Sequence, residues 1–401
     1  MDDLLFLVHR IPYPPDKGDK IRSWNMLRHL ARSYRVHIGC FIDDPHDWRY
    51  EDELRKIAAS CWLGRLDPRR ARIKSLARLL TGEALSIGYY HDPGLARWVR
   101  TRIEDDGVRR VFTYSSSMAQ YVLADWAAGT RRVFDFVDVD SDKWRQYASR
   151  KKWPMSWIYA REGRTLLAFE RRAAASSDVT LLVSDPEAAL FRGLAPEAAD
   201  RVRAVRNGVD FEFFNPLASY QCPDSMGPRA MVFTGAMDYW ANVDAVAWFA
   251  RDVLPLVRAK VADAAFWIVG ANPTGEVRAL ASLPGVKVTG RVPDVRPFLA
   301  HAACVVAPLR LARGVQNKVL EAMSMAKVVV TTKEAAEGID AVPGRDLMVC
   351  DGAVELAAGT IRALGGDGTG MGPRARELVV AKYGWESALA PLANMLERGC
   401  P

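Results

Sequence analysis

The sequence feature that most constrains the fold is a strand–loop–helix–strand pattern at residues 303–332. Residues 303–307 (ACVVA) form an apolar run that predicts a buried strand ending before Pro308. A loop containing Gly314 follows, and the valines at 328–330 predict the next strand. Between them, four apolar residues recur at helical spacing: Val319, Ala322, Met323 and Ala326. This βαβ pattern predicts a parallel sheet with helices packed beside it.

The helix of this unit starts at the edge where parallel α/β sheets bind their ligands. Backbone N–H groups at residues 314–318 and the helix dipole suit an anion, and Lys318 adds a full positive charge. Glu321 lies one turn later on the same side of the helix. Since a carboxylate is unfavourable beside an anion, we assign it a separate task, such as accepting hydrogen bonds from a sugar diol. The segment therefore predicts a clamp for a sugar nucleotide. The alternative is an exposed Lys318–Glu321 ion pair beside an ordinary loop glycine.

The length of the chain and its alternating pattern predict two domains. A chain of 401 residues is too long for one ordinary hydrophobic core. Residues 211–228 carry three prolines, two serines and no periodicity, so we place a linker there. Strands and helices alternate on both sides of the linker. This predicts two doubly wound, Rossmann-like α/β domains at residues 1–210 and 229–383, followed by a closing segment at 384–401.

The amino-terminal half offers two candidate ligand loops. A predicted strand at residues 4–8 leads into a basic, proline-rich loop, where Gly18 lets the backbone turn tightly or approach a ligand. No GxGxxG motif occurs, so a dinucleotide-binding start is not expected. Residues 50–107 predict mostly helices, and a strand at 133–137 follows later. Three carboxylates follow that strand directly: Asp138, Asp140 and Asp142. They suit hydrogen bonding to sugar hydroxyls, a role as general base or, least of all, metal binding.

The carboxyl-terminal half repeats one local pattern three times before the βαβ unit. Predicted strands at residues 230–234, 265–269 and 286–289 each close on a glycine. Glycines at one edge of a parallel sheet leave backbone room for a ligand. Arg291 follows the third glycine, where its guanidinium could reach a nucleobase or a phosphate.

Composition and charge indicate which partners and which cellular compartment the sequence favours. The formal net charge of +7 lies wholly in residues 1–210, which contain 36 Lys and Arg against 29 Asp and Glu. The basic and apolar stretch at residues 69–80 suits either a membrane surface or a helix packed on the sheet. The basic and aromatic stretch at residues 151–157 suits a membrane contact or a partner. No nucleic-acid-binding signature and no bilayer-spanning apolar run occurs. Six scattered cysteines favour a reducing cytoplasm and argue against zinc.

Five segments resemble the GT-B glycosyltransferases, in particular the large retaining group that uses nucleotide-sugar donors. The fold implied by this resemblance is a pair of Rossmann-like domains facing across a cleft, with the closing helix crossing back to the first domain. The individual residues of the matching segments are similar to those of sugar transferases associated with exosortase (PEP-CTERM) exopolysaccharide clusters. The segments are IPYPPDKGDKIR (11–22), NGVD (207–210), VFTGAMDYWANVDAVAWF (232–249), GRVPDVRPFLAHA (290–302) and APLRLARGVQNKVLEAMSMAKVVVTT (307–332).

The resemblance implies a role for each matching position. Gly18 and Gly235 would let two loops approach the donor phosphates, and Arg291 would lie beside the nucleobase. Lys318 would neutralise the diphosphate, and Glu321 would hold the ribose hydroxyls. Four consecutive residues would meet the transferred sugar and phosphate: Gly314, Val315, Gln316 and Asn317.

Three departures from the family pattern accompany these matches. Arg313 stands where many members carry a glutamate directed at the donor sugar, and Ala236 and Ala241 replace a frequent Arg and Lys. We therefore hypothesise that positive charge has moved to Arg313, and to Arg310 beside it. The histidine frequent after the strand at 133–137 is missing, which leaves Asp138 or Asp140 as the polar group.

The reaction implied is transfer from a nucleotide-diphosphate sugar to a lipid-linked or growing glycan acceptor, with retention, in cell-envelope or exopolysaccharide synthesis. Lys318, Arg313 and Asp138 are the candidate catalytic residues. The nucleotide sugar is a co-substrate, and neither a cofactor nor a metal is expected. The partners expected are the donor, the acceptor and an anionic membrane contacted peripherally by the basic domain, at the inner face of the cytoplasmic membrane. The alternatives are a nucleotide-sugar-binding protein without activity and a GT-B sugar-nucleotide epimerase.

Overall fold

The computed structural model describes residues 1–15, 17–149, 151–312 and 315–397. The chain divides into two compact units. The first contains residues 1–206 together with the segment that begins at Leu389, and the second contains residues 207–388. Each unit is built around its own parallel sheet.

The first domain is a seven-stranded parallel sheet, counted over the described residues, with strand order β3-β2-β1-β4-β5-β6-β7. Its central strands are apolar on both faces because helices cover both sides, as parallel sheets require. The strands are β1 Asp3–Val8, β2 Arg35–Ile42, β3 Ser60–Arg65, β4 Arg110–Tyr114, β5 Arg131–Val137, β6 Val179–Leu182 and β7 Val202–Ala204. The helices are α1 Gly18–Leu30, α2 Glu51–Arg55, α3 Pro68–Leu76, α4 Arg78–Thr81, α5 Leu85–Tyr89, α6 Pro93–Glu104, α7 Asp140–Ser149, α8 Met155–Ser176 and α9 Asp185–Leu194.

The second domain is a six-stranded parallel sheet over the described residues, with strand order β10-β9-β8-β11-β12-β13. The strands are β8 Ala230–Thr234, β9 Ala265–Val269, β10 Val286–Gly290, β11 Cys304–Ala307, β12 Val329–Thr331 and β13 Met348–Val349. The helices are α10 Trp240–Trp248, α11 Leu254–Arg258, α12 Gly275–Ala279, α13 Arg296–His301, α14 Asn317–Ser324, α15 Lys333–Ala336, α16 Gly352–Leu364, α17 Met371–Lys382 and α18 Trp385–Leu389.

The last helix, α19 (Pro391–Leu396), belongs to the first domain. Arg131 at the start of β5 donates a hydrogen bond to the carbonyl oxygen of Met395 at 3.1 Å. Just beyond the helix, the Glu397 carboxylate accepts hydrogen bonds from Tyr34 at 2.7 Å and from Arg110 at 2.9 Å. The end of the described chain is therefore attached to the amino-terminal edge of the first sheet.

Three elements differ from the sequence expectations. Residues 60–65 form the edge strand β3, although residues 50–107 predict mostly helices. The sequence from Asn242 to about residue 261 predicts one long helix, but a π-helical turn at Phe249–Val253 interrupts it, and Pro255 is the second residue of α11. The sequence predicts a first helix over residues 21–30, whereas α1 begins at Gly18.

Candidate functional site

The candidate site lies at the switch point of the second sheet, between β8 and β11. The chain runs from β8 outward to β9 and β10, then returns to place β11 on the other side of β8. The carboxyl ends of these two strands therefore diverge into separate loops and leave a crevice between them. Gly235 ends the first strand, and Lys318 opens the helix α14 that follows the second.

The glycines predicted at this edge are in contact with one another. The Gly235 N–H donates to the Val269 carbonyl oxygen at 3.1 Å, and the Gly270 N–H donates to the Gly290 carbonyl oxygen at 3.2 Å. A Cβ atom added to Gly270 would lie 1.7 Å from the Gly235 carbonyl oxygen, so a side chain at that position is sterically excluded. The close approach of these backbones therefore explains why β9 must end on glycine.

Lys318 points from α14 towards the loop after β8. Its ammonium donates to the side-chain oxygen of Asn242 at 2.5 Å and lies 4.6 Å from the centre of the Phe233 ring. A Cβ atom added to Gly235 would be 3.5 Å from the Lys318 Nζ atom and 2.7 Å from the Asn242 Nδ2 atom. Gly235, Asn242 and Lys318 thus form one contact group, with the loop's Ala236 carbonyl accepting from Asn242 at 2.8 Å.

Burial shapes the charges of this group. Lys318 is half-buried, and desolvation lowers its pKa to about 8 despite the opposing charge of Glu321. Desolvation likewise raises the pKa of Glu321 to about 7, although the charge of Lys318 opposes the shift. Among the described residues, the hydrogen-bond acceptor recorded for the Lys318 ammonium is a neutral amide. The ammonium therefore has a neutral hydrogen-bond partner among the described residues, and the neighbouring Glu321 is partly protonated near neutral pH.

The residues around the start of α14 are only partly described. Arg313 and Gly314 lie outside the described residues. Val315 is buried, and the side chain of the N-cap residue, Gln316, makes no capping hydrogen bond. The Asn317 side chain accepts a 3.5 Å hydrogen bond from Asn207. This contact brings the NGVD turn, known from the sequence only as a matching segment, to the helix start.

Gln316 and Asn317 are half-buried at that helix start, whereas Arg291 is exposed just beyond β10. Arg291 is thus at the predicted edge of the sheet, and its contact with a nucleobase stays a prediction. Asn242 is the site residue that sequence reasoning missed, because its position opening a helix showed no sign of its long-range partner. A polar residue within an otherwise apolar helical face was the available signal.

Arg310, one of the two arginines in the charge-relocation hypothesis, is already paired. Its guanidinium donates to the Asp244 carboxylate at 2.6 and 3.1 Å and lies 5.1 Å from the centre of the Trp248 ring. Asp244 and Trp248 both belong to α10. Together with Arg310 they line an open hollow of about 490 Å³. The structure therefore accounts for the Arg310 charge without a phosphate.

In the first domain, Gly18 differs from the expectation. It is exposed at the first position of α1, and an added Cβ atom would meet nothing within 4 Å. Its backbone is not in the left-handed region, so the tight turn expected there is absent and the geometry does not require glycine. The approach of a donor phosphate to Gly18 stays a prediction.

Asp138 lies directly after β5, as predicted, beside the start of α7. Its carboxylate accepts from the Lys143 ammonium at 2.7 Å, and Asp140 accepts from the same ammonium at 3.2 Å. Burial opposes the charged form of Lys143, but the charges of Asp140 and Asp138 outweigh it and raise its pKa. Near this group, the buried Glu170 carboxyl group accepts from the Ser141 hydroxyl at 2.5 Å. Asp138 is therefore engaged in a local ion-pair network with Lys143.

Neither a metal-type side-chain cluster nor a membrane-spanning helix occurs in the described parts of the chain. No three His, Cys, Asp or Glu side chains there come together in a way that could hold a metal ion. Within the same residues, no helix is long and apolar enough to cross a bilayer. The expectation of a metal-free reaction stays a prediction.

Comparison with known proteins identifies the second domain. Residues 228–366 match the family model described as glycosyl transferases group 1. The match includes the group formed by Gly235, Asn242 and Lys318. The chain thus carries a glycosyl transferase domain, and the prediction of a glycosyltransferase enzyme is confirmed. No curated protein sequence matches the chain.

Solved structures share the fold over nearly the whole chain. HepE from Anabaena, determined in complex with UDP, is 14% identical, with 99% of each chain covered and a TM-score of 0.66. Sucrose-phosphate synthase from Thermosynechococcus elongatus is 15% identical, with 98% of each chain covered and a TM-score of 0.70. A glycosyltransferase from Rickettsia africae is 12% identical, covering 99% of this chain and 100% of that one, with a TM-score of 0.65. These likenesses confirm the predicted fold class of two Rossmann-like domains of the GT-B type.

Proposed function

We propose that the protein transfers a glycosyl unit from a nucleotide-diphosphate sugar to a hydroxyl group of a lipid-linked or growing glycan. The observation that carries the donor assignment is the half-buried Lys318, whose hydrogen-bond acceptor among the described residues is the neutral Asn242. HepE, which is similar in fold, has been determined with UDP and with UDP-glucose, and this supports a nucleotide sugar as the donor.

In the proposed reaction, the bond between the anomeric carbon and the phosphate oxygen breaks as the acceptor oxygen bonds to that carbon. The acceptor hydroxyl proton passes to the departing diphosphate. Attack and departure would take place on the same face of the sugar, so the configuration of the anomeric carbon would be retained. Charge accumulates on the diphosphate in the transition state, so its stabilisation is the main task of the protein. Lys318 and the amino-terminal end of α14 would supply that stabilisation, and Glu321 would accept hydrogen bonds from the ribose.

The remaining assignments belong to the same proposal. Arg313 would add positive charge at the donor, and Asp138 would orient the sugar or the acceptor. We place the protein in cell-envelope or exopolysaccharide synthesis at the inner face of the cytoplasmic membrane, without a metal or another cofactor. The finer resemblance to exosortase-linked sugar transferases supports this setting.

A thermal-shift panel of UDP-, GDP- and ADP-sugars tests donor binding, because a ligand that binds only the native state raises the melting temperature. The preferred donor is then supplied for turnover, and release of the nucleoside diphosphate is measured. Lys318→Ala should lower the rate by about 10²–10³-fold, the usual effect of removing one well-placed stabilising group. Wild-type turnover in Lys318→Ala would refute the assignment, and donor binding without turnover would favour a binding protein.

Arg313→Ala and Arg310→Ala form a matched pair for the charge-relocation hypothesis. Arg310 is engaged by Asp244, so its removal should leave donor affinity within about two-fold of wild type, as expected for an exposed ion pair. Arg313→Ala should weaken donor binding if its charge faces the diphosphate. Unchanged affinity in Arg313→Ala would end the hypothesis, while Lys318→Ala would still test the donor site itself.

A further inference from the structure

The first domain concentrates its exposed large apolar side chains in two short segments, residues 73–80 and 153–157. Over the described residues of this domain, seven such side chains are exposed, and all but Met1 lie in these segments. Leu80 is 92% exposed and Trp153 is 82% exposed. Scattered surface apolar residues are ordinary, but a concentration of large ones marks an interaction surface.

The first segment presents an apolar stripe to solvent. Helices α3 and α4 are separated only by Ala77, which itself has helical backbone angles. Three exposed residues stand three and four positions apart and so share one face: Ile73, Leu76 and Leu80. The side chains of α3 that turn inward are the small ones, Ala71 and Ser75. The sequence alternative of an apolar side packed on the sheet is therefore wrong here.

The second segment is held beside the first by α8. The buried guanidinium of Arg161 donates to the carbonyl oxygens of Arg78 at 2.8 Å and Glu83 at 3.2 Å, at either end of α4. Its neighbour Glu162 accepts from two N–H groups at the start of α5, at 2.7 and 2.8 Å. Trp157 precedes Arg161 by four positions and so lies one turn away on the same side of α8. This spacing places the exposed tryptophan one helical turn from the contact between α8 and α4.

The charge on this surface is predominantly positive. Residues 68–83 and 151–164 together contain nine Lys and Arg against two Asp and Glu, an excess equal to the formal charge of the whole chain. Seven of the nine cations are exposed: Arg69, Arg70, Arg72, Lys74, Lys151, Lys152 and Arg164.

We propose that α3, α4 and the amino-terminal end of α8 form a docking surface for an anionic lipid bilayer, which we call the basic–apolar face. Tryptophan prefers the headgroup region, aliphatic side chains enter the acyl boundary, and Lys and Arg meet anionic headgroups. One planar bilayer accepts all three classes at once, and this combination of protruding apolar groups within a cationic rim favours it over a protein or nucleic-acid partner. The inference deepens the proposed membrane location, but vesicle binding is measured without donor or turnover.

Vesicle co-sedimentation tests the proposal with the full chain. Vesicles of phosphatidylcholine with about one third phosphatidylglycerol are compared with phosphatidylcholine alone, at low and high salt. The protein should sediment with anionic vesicles and be released by salt, because surface charges are screened. Lys151→Glu with Lys152→Glu should weaken binding by at least about five-fold per position, the effect of removing one basic residue from an anionic surface. Trp153→Ala with Trp157→Ala should weaken it further.

Matched controls come from the second domain. Leu217, which is 91% exposed there, is replaced by serine as the counterpart of Leu80→Ser. Exposed Lys260 and Lys287 are replaced by glutamate as the counterpart of the lysine pair. All variants are first compared by thermal unfolding, with and without donor. Absence of wild-type binding to anionic vesicles would overturn the proposal, as would equal losses in the control variants. A donor-induced shift that survives in vesicle-deficient variants would separate this result from the donor assignment.

Discussion

Binding of a nucleotide-diphosphate sugar should place a proton on Lys318. Burial lowers the pKa of its amine to about 8, so a substantial fraction is neutral in mildly alkaline solution. A diphosphate within hydrogen-bond distance favours the charged amine and restores the proton. At a pH of about 8.5, roughly three quarters of the free protein would hold a neutral Lys318, and binding would take up about that fraction of a proton. The uptake measures the contact between the lysine and the diphosphate.

The assay is isothermal titration calorimetry with the donor that the thermal-shift panel selects. Titrations at a pH of about 8.5 are run in two buffers of different ionisation enthalpy, and the difference in apparent binding enthalpy gives the number of protons taken up. Since only the protonated lysine matches the diphosphate, the dissociation constant should rise roughly four-fold between a pH of about 7 and about 8.5. Glu321, with its pKa raised to about 7 by burial, is already ionised at the upper pH and contributes little to the uptake.

Lys318→Met is the decisive control, because methionine keeps the apolar stem and removes the titrating amine. The variant should bind more weakly and take up no proton at a pH of about 8.5. A wild-type binding enthalpy that is the same in both buffers at that pH would refute the reasoning. It would show that the donor binds without contacting the lysine amine.

Three further predictions concern packing and burial inside each domain taken by itself. Gly270→Ala places a Cβ atom 1.7 Å from the backbone oxygen that ends β8, so we expect a loss of about 1–3 kcal/mol in urea unfolding and of the donor-induced thermal shift; Gly275→Ala, where the space is open, should change neither. Arg22→Met leaves the buried Asp135 carboxylate without its 2.8 Å partner and should cost about 3–5 kcal/mol, much of which Arg22→Met with Asp135→Leu should restore; an equal cost in both variants would contradict this. Burial raises the pKa of Glu170 to about 8, so the native state keeps a proton that the unfolded chain loses above a pH of about 4.5. The free energy of unfolding of the wild type should therefore fall by up to about 5 kcal/mol as the pH rises from about 4.5 to about 8. Chemical denaturation at a series of pH values should show a flatter dependence for Glu170→Gln.

Much of the second domain was predictable because its strands are short apolar runs closed by glycine. Residues 230–234 and 265–269 are strands β8 and β9 with the bounds expected from the sequence. The carboxyl ends of parallel strands share one edge, so the placement of Gly235 and Lys318 near the same crevice followed from topology. The lowered pKa of Lys318 could not be predicted, because it depends on burial by residues that are distant in the sequence.

The misses have physical reasons of the same kind. The strand β3 (Ser60–Arg65) is half-buried at the sheet edge, and its apolar run covers only residues 61–63. The contact between Asn242 and Lys318 joins residues 76 positions apart and exists only because β8 and β11 are neighbours. Gly18 was expected in a tight turn because glycine often marks one, yet the helix simply begins there. In each case tertiary neighbours, and not the local residues, decide the outcome.

In the described part of the proposed donor site, the positive charge assigned to the diphosphate comes from one lysine, Lys318. At the two positions where the family resemblance implies further cations there are alanines, and Ala241 is buried against the domain core. Arg310 is neutralised by Asp244, so it could meet a phosphate only by giving up two hydrogen bonds and its contact with Trp248. Lys318 is moreover partly neutral at alkaline pH, because burial opposes its charge. Donor affinity in this chain should therefore depend on pH more steeply than in a site where several exposed cations share the diphosphate, since loss of one proton removes most of the countercharge.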